Sequence, residues 1–379
     1  MKIVIAPDSF KGSLSSIEVI EAIKGEAEKE FFDIEVIGVP LADGGEGTID
    51  AILFGASGIK GTFSVCDPLG NGIDAEYGII GETAIVEMAQ CSGLPLIPES
   101  QRNPMKTTSY GTGQMLKHIL DLGKRDILIG IGGSATNDGG MGAMQALGAR
   151  FYDSHNNLII SGCGENLSKV NRIDLEEFDK RIYECKISVM CDVVNPLTGT
   201  NGATYTYGRQ KGATDEMLDT LEMGMLNFEK IINQLYKSKI SQISGAGAAG
   251  GMGAALVVFC GAKLVSGIDA ILKLKNFGET IKGADFIITG EGRVDEQSAY
   301  GKVIQGISVY ATKQNIPVIV IAGGMIEGFE KVYEFGVKAI FSIANRPMSL
   351  VECMQSSKEL IRNASRNIFA LYHLKSIEV

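Results

Sequence analysis

Residues 2–27 read KIVIAPDSFKGSLSSIEVIEAIKGEA. The apolar run is bounded by Pro7, which predicts a short buried parallel strand over 2–6. A polar, glycine-bearing turn follows (Asp8, Ser9, Lys11, Gly12, Ser13), and Ser15-x-x-Glu18 is a capping box that opens a helix. Ile17, Ile20, Ile23 and Ala27 give that helix its apolar stripe. A second strand over 35–41 ends at Asp43-Gly44-Gly45-Glu46-Gly47, and a second helix spans 48–54. Strand, turn and helix, repeated, open a doubly wound parallel sheet.

From residue 59 the pattern changes. Alternating segments at 62–66, 73–80 and 83–88 are separated by Pro-Leu-Gly-Asn-Gly and Gly-Glu turns, which predicts antiparallel pairing and a mixed sheet. The same region holds a helix at 111–122, strands at 126–131 and 186–190, and a long amphipathic helix over 215–236. Its apolar face carries Met217, Leu221, Met225, Phe228, Ile232 and Leu235. After residue 261 strand–helix alternation returns, with strands at 286–289, 318–322 and 339–343 and a helix at 301–313. The expected fold is α/β with two domains, which suits a length of 379 residues. Residues 1–58 and 263–379 form a Rossmann/flavodoxin-like parallel-sheet domain, and 59–262 form a mixed-sheet α/β domain inserted in it. The active site is expected in the cleft between the two.

Composition narrows the function. A net charge of −10 argues against a broad nucleic-acid-binding face. Seven scattered cysteines without a C-x-x-C pair, and three histidines not at ligand spacing from one another or from a cysteine, give neither a zinc site nor a disulfide framework. Reduced thiols in a reducing compartment are expected. The first apolar run is too short for a signal peptide, and no stretch reaches the 18 or so apolar residues of a membrane span. The expected location is cytoplasmic, with no membrane partner, and a homodimer is left open.

Glycine is the outlier, at 48 residues, nearly twice the usual share of about 7%. The glycines bunch with polar residues in five clusters, most of them directly after apolar runs, where ligands of open α/β sheets sit. Such clusters offer backbone N–H groups to phosphate oxygens and carboxylates to Mg²⁺ or to a proton. The combination points to phosphoryl transfer on a small molecule.

The strongest cluster is 130–140, GIGGSATNDGG. Gly132, Gly133, Ser134, Thr136 and Asn137 are candidate phosphate-binding residues, and Asp138 is a candidate Mg²⁺ ligand. Lys11, after Asp8 and Ser9, suits a substrate carboxylate or a transferring phosphoryl group. Asp43 and Glu46 flank a di-glycine turn, as carboxylate ligands or as caps of the next helix. Asp192, one residue past a strand end, is placed to accept a hydroxyl proton. Lys211 complements a phosphate as a point charge. Glu291, Arg293 and Asp295 alternate after another strand, with Arg293 able to clamp an anion bidentately. An internal ion-pair network is the plain alternative for these three.

Residues 245–250 match G-x-G-x-x-G, and Gly130-x-Gly132-x-x-Ala135 matches its looser form. A dinucleotide fingerprint needs a buried strand before it, and 237–244 are mostly polar. A nicotinamide-dependent 2-hydroxyacid dehydrogenase is thus a weak rival, as is a non-catalytic glycerate- or nucleotide-binding protein. No G-x-x-x-x-G-K-[ST] motif occurs, so a kinase here is not of the P-loop lineage, and protein-kinase signatures are absent.

Taken together, APDSFKGSL (6–14), LADGGEGT (41–48), GIGGSATNDGG (130–140), CDVVNPL (191–197), GAGAAGG (245–251) and ITGEGRVD (288–295), with Gly301-Lys302, resemble the bacterial class I glycerate kinase family along the whole chain. The resemblance implies ATP- and Mg²⁺-dependent phosphorylation of D-glycerate, usually on the 2-hydroxyl, with 3-phosphoglycerate as the alternative product. It also implies a Rossmann- or flavodoxin-like domain with a second α/β domain inserted. Arg209 stands where the family often has proline, and Ser298 where it often has threonine. Within this reading Asp8, Ser9, Lys11, Arg293 and Glu291 bind glycerate. The residues at 132–134, 136–137 and 211 bind ATP, Asp43 and Asp138 hold Mg²⁺, and Asp192 or Asp295 is the base, with Lys11 and Arg293 assisting.

Overall fold

The computed structural model describes residues 1–237, 239–299 and 303–375. Gly301-Lys302, and with it the start of the helix expected at 301–313, lies outside the described residues. The chain divides into two compact units. The first holds Met1–Asp43, Asp50–Phe54 and Ile268–Val379; the second holds Gly44–Ile49 and Gly55–Gly267. Against the expected insertion at 59–262, the second unit is thus broader at both ends and also takes the six residues Gly44–Ile49, which follow the second strand.

In the first unit, five parallel strands run in the order Val337–Ser342, Val318–Ala322, Phe286–Glu291, Lys2–Ile5 and Glu35–Gly38. Counted along this unit, that is the 2-1-3-4-5 order of flavodoxin-like sheets. Strands buried on both faces read as continuous aliphatic runs, as Ile3, Val4 and Ile5 do. The Ser16–Glu30 helix begins with the capping box, Ser15 accepting from Glu18 N at 3.2 Å. Its buried face is Val19, Ile20, Ile23 and Ala27, with Ile17 only half-buried. It packs on the Ser357–Lys375 helix, where Phe31 meets Phe369 edge-on at 5.6 Å and buried Glu26 accepts from Arg366 at 2.7 Å.

In the second unit, six strands run in the order Lys263–Val265, Lys186–Met190, Asp126–Gly130, Thr83–Glu87, Gly72–Ile80 and Gly58–Cys66. The first four are parallel, and the last two pair antiparallel through a tight turn at 67–71. Asp67 holds that turn by accepting from Leu69 N at 2.7 Å and Asn71 N at 2.9 Å. The Asp215–Tyr236 helix buries Leu218, Leu221, Met225, Phe228 and Ile232. Of the face expected from spacing, Leu235 is instead exposed and Met217 half-buried, because the stripe drifts off the core at both helix ends. No described helix is long and apolar enough to cross a membrane.

Two glycines separate the local from the tertiary role of the residue. Gly25 lies inside the Ser16–Glu30 helix, and a Cβ there would meet nothing within 4 Å. Gly25→Ala should raise stability by about 0.5–1 kcal/mol, read as a higher urea midpoint. A Cβ on Gly130 would lie 2.3 Å from Gly44 O. Gly130→Ala should therefore lower stability by about 1–3 kcal/mol or more. An unchanged midpoint would mean that the two segments are not packed this closely.

Candidate active site

In the first unit the chain turns outward to opposite sides from the adjacent strands Lys2–Ile5 and Phe286–Glu291. This switch point is where open α/β sheets bind ligands. The two strand ends are stitched together beyond the regular ladder: Asp8 N donates to Gly290 O at 2.9 Å, and Thr289 Oγ1 to Ala6 O at 2.8 Å. Asp8, Ser9 and Lys11 therefore emerge beside Glu291. Lys11 Nζ is ion-paired with Asp43 Oδ2, both side chains being partly exposed. Asp8 is 8% exposed, and its Oδ1 accepts from Ser9 N at 2.7 Å.

Three carboxylates around one ammonium perturb each other. Burial first, then the charge on Asp43, pushes Asp8 up to about 7, with Glu291 adding and the Ser9 N–H and Lys11 opposing. Burial works to lower Lys11, but Asp43, Asp8 and Glu291 outweigh it and hold the ammonium above the ordinary lysine value. Arg293 is exposed and pairs with Asp295 at 3.1 Å. Asp295 also accepts from Ser298 N at 3.2 Å and donates its own N–H to Ser298 Oγ, a reciprocal cap on the turn that follows. Ser298 serves this cap where threonine was noted as the commoner residue.

In the second unit the loop after Asp126–Gly130 turns most of its polar side chains inward. Thr136, Asn137 and Asp138 are fully buried, Ser134 is 7% exposed, and Gly133 is the exposed tip. Lys211, itself 2% exposed, donates to Ser134 Oγ at 2.9 Å and to Thr136 O at 2.7 Å. Burial pushes its ammonium down to about 7, with Asp138 opposing. Asn137 Nδ2 donates to Thr204 Oγ1 at 3.1 Å. Asp138 accepts from Ser109 N and Oγ at 2.8 and 2.7 Å, from Gly140 N at 3.0 Å and from Gly142 N at 3.2 Å. Burial raises its carboxyl above the ordinary value against those hydrogen bonds.

These placements change three expected roles. With four donors and no exposure, the Asp138 carboxylate organises the loop and is not positioned to take a cation from solvent. Lys211 is a buried clamp instead of a surface point charge. Thr136 and Asn137 face the protein, which leaves the backbone at Gly133 as the part of the loop presented outward. Asp192 is exposed, and its Oδ1 accepts from Gly267 N at 3.0 Å at the start of the Gly267–Leu274 helix. Arg209 points outward in an ion pair with Asp215 at 2.5 Å.

The cluster at 245–251 is a support for this loop. Gly139 N donates to Gly250 O at 2.9 Å, and a Cβ on Gly250 would lie 2.0 Å from Thr136 O. A 3₁₀ turn at Ile240–Gln242, not a strand, precedes it, so the geometry of a dinucleotide fingerprint is missing. His118, one histidine a dehydrogenase could have used, stacks on Phe63 with centroids 3.8 Å apart. Ser109, Thr204 and Glu87 were not singled out from sequence. Glu87 is 1% exposed and accepts from Ile49 N at 2.5 Å, tying down the 44–49 segment. Only its position at the end of an apolar run could have pointed to it.

Among the described residues no three His, Cys, Asp or Glu side chains are grouped to hold a metal. Mg²⁺ carried on a nucleotide takes one or two carboxylates plus phosphate oxygens and water. Asp43, partly exposed and hard in its donor chemistry, fits this requirement; Asp138 does not.

The raised Asp8 carboxyl sets a pH signature. A carboxyl whose folded value exceeds its unfolded value of 3.8 contributes stability that is full below 3.8 and lost as pH rises through about 7. Asp8→Asn should therefore become more stable than the parent protein as pH rises from about 4 to about 8 in metal-free buffer, while losing at least about tenfold in turnover. Parallel denaturation curves across that range would overturn the assignment.

Known proteins resemble this chain along nearly its whole length. The sequence profile of the glycerate kinase family matches residues 3–373. A protein named glycerate kinase from Halalkalibacterium halodurans is 45% identical over 97% of this chain and 97% of its own. Glycerate 2-kinase of Escherichia coli K12 is 45% identical over 98% of this chain and 97% of its own. A crystal structure of a Salmonella typhimurium LT2 protein provisionally called glycerate kinase 2 superposes with a TM-score of 0.86 at 43% identity, covering 99% of both chains. The chain belongs to the glycerate kinase family.

Proposed function

We propose that this protein transfers the γ-phosphoryl group of ATP to the 2-hydroxyl of D-glycerate. The observation that carries the regiochemistry is the near-full-length similarity to the Escherichia coli protein named glycerate 2-kinase. Two residue sets supply what the reaction needs. The Asp8, Ser9, Lys11, Asp43 and Glu291 group, with Arg293, carries the cations for a small carboxylate. The Gly133 backbone at the loop tip offers its N–H to phosphate.

In this mechanism Lys11 and Arg293 hold the glycerate carboxylate and fix the 2-hydroxyl for attack. Asp192 or Asp295 accepts the hydroxyl proton as the oxygen bonds to the γ-phosphorus and the bond to ADP breaks. Mg²⁺, held by Asp43 and the phosphates, would supply charge neutralisation. Most of the acceleration comes from positioning and neutralisation, as phosphoryl transfer generally requires. The cysteines are free thiols, which supports a reducing compartment such as the cytoplasm.

Purified protein with ATP, Mg²⁺ and D-glycerate should release ADP and give a 2-phosphoglycerate signal by ³¹P NMR. A 3-phosphoglycerate signal would keep the kinase and overturn the regiochemistry. Bound nucleotide without turnover would favour a binding protein. Asp192→Asn and Asp295→Asn separate the two candidate bases: loss of about 10²–10⁴-fold in kcat is expected for the true one. A loss under tenfold in both would remove both from that role.

A further inference from the structure

Resting on the kinase reading, we infer that Lys211 is a positioning residue, which shapes the glycine-rich loop for the nucleotide phosphates through Ser134 and Thr136 without itself touching the nucleotide. A lysine that is to meet a phosphate as a point charge needs its ammonium within the ligand's reach. Lys211 is instead 2% exposed, and its ammonium ends on the inner side of the loop. Its two acceptors, Ser134 Oγ at 2.9 Å and Thr136 O at 2.7 Å, bracket Ala135 and so fix the backbone directly after the exposed Gly133 tip.

The lysine is held rigidly in turn. It closes the Arg209–Lys211 turn, and the next residue, Gly212, has φ +94° and lies so near Arg102 that a Cβ would sit 2.3 Å from Arg102 O. Asn137–Thr204 and Asp138–Ser109 pin the far end of the same loop. Beside the tip the backbone is also tied by Leu94 N to Gly133 O at 2.8 Å and Ala135 N to Ser92 O at 2.9 Å, and Lys211 adds the side-chain clamp that joins Ser134 to Thr136. A loop fixed beforehand loses less conformational freedom when it takes a phosphate.

The test is a double-mutant cycle on Lys211→Met and Ser134→Ala, with steady-state kinetics for each substrate and fluorescent ATP-analogue binding without glycerate. Lys211→Met should raise the KM for ATP and the analogue Kd about tenfold to hundredfold, since two buried hydrogen bonds are removed and their acceptors left without a partner. The KM for glycerate should change less than about twofold. Ser134→Ala should reproduce part of the loss, and the double variant should be no worse than Lys211→Met alone. Effects that multiply, or a fall in kcat with the nucleotide constants unmoved, would overturn the inference in favour of direct contact.

If Lys211→Met does not fold, Ser134→Ala and Ser134→Thr decide. In nucleotide-free protein the amides at 132–138 should exchange faster in the alanine variant and be restored by threonine; unchanged exchange overturns the inference. The analogue and exchange readouts need no turnover. A parent protein that binds nucleotide but leaves glycerate unphosphorylated would therefore fail the functional reading separately.

Discussion

The second unit is built on places where two backbones meet with no room for a side chain between them. Gly44 packs against Gly130, Gly132 against Gly45, and Gly250 and Gly251 against the far end of the same loop at Thr136 and Gly139, each so close that a Cβ would fall within 3 Å of a neighbouring heavy atom. Three segments distant in sequence thereby stack as bare backbone. Peptide groups brought that close and taken from water must be hydrogen-bonded, and they are: Gly132 N to Gly44 O at 3.1 Å and Gly139 N to Gly250 O at 2.9 Å. The loop shape follows from this stacking, and the inward-facing Thr136, Asn137 and Asp138 follow from the loop shape.

That dependence explains what was legible in the sequence. The strands were plain wherever aliphatic residues run together, because a parallel strand is apolar on both faces. Both sheets and the helix with the Ser15–Glu18 box could be read locally, as could Asp8, Lys11 and Glu291 at strand ends. The direction of the loop's polar side chains could not. Ser, Thr, Asn and Asp beside glycine look like ligand contacts when read alone. Their partners lie far off: Ser109 is 29 residues from Asp138, Thr204 is 67 from Asn137, and Lys211 is 77 from Ser134. No local pattern carries those pairings. The same holds for 245–251, whose glycine spacing imitates a nucleotide fingerprint while its physical task is to let another backbone approach.

The two units handle charge differently. In the second, the ionisable groups of the loop are buried and committed to internal hydrogen bonds, and burial moves both Asp138 and Lys211 toward their neutral forms. A loop organised this way would meet a phosphate, in the proposed function, through the fixed backbone at Gly133, with little reorganisation on binding. In the first, Lys11, Asp43 and Arg293 keep their heads at the surface, where partners can be exchanged.

Exchange is the property that makes the Lys11–Asp43 pair suited to its proposed task. An exposed ion pair contributes only about 0–1 kcal/mol to folding, so the pair is not there chiefly for stability and is cheap to open. In the proposed mechanism a substrate carboxylate would compete with Asp43 for the ammonium, and a cation would compete with Lys11 for the Asp43 carboxylate. Each ligand weakens the bond that opposes the other, so anion and cation favour each other's arrival without any change in fold. Asp8, behind them and short of solvent, senses the balance: burial raises its carboxyl first and the charge on Asp43 next, with Lys11 opposing. A cation drawn to Asp43 reduces that repulsion and favours the ionised form of Asp8. The charge state of this cluster is therefore set by what it binds.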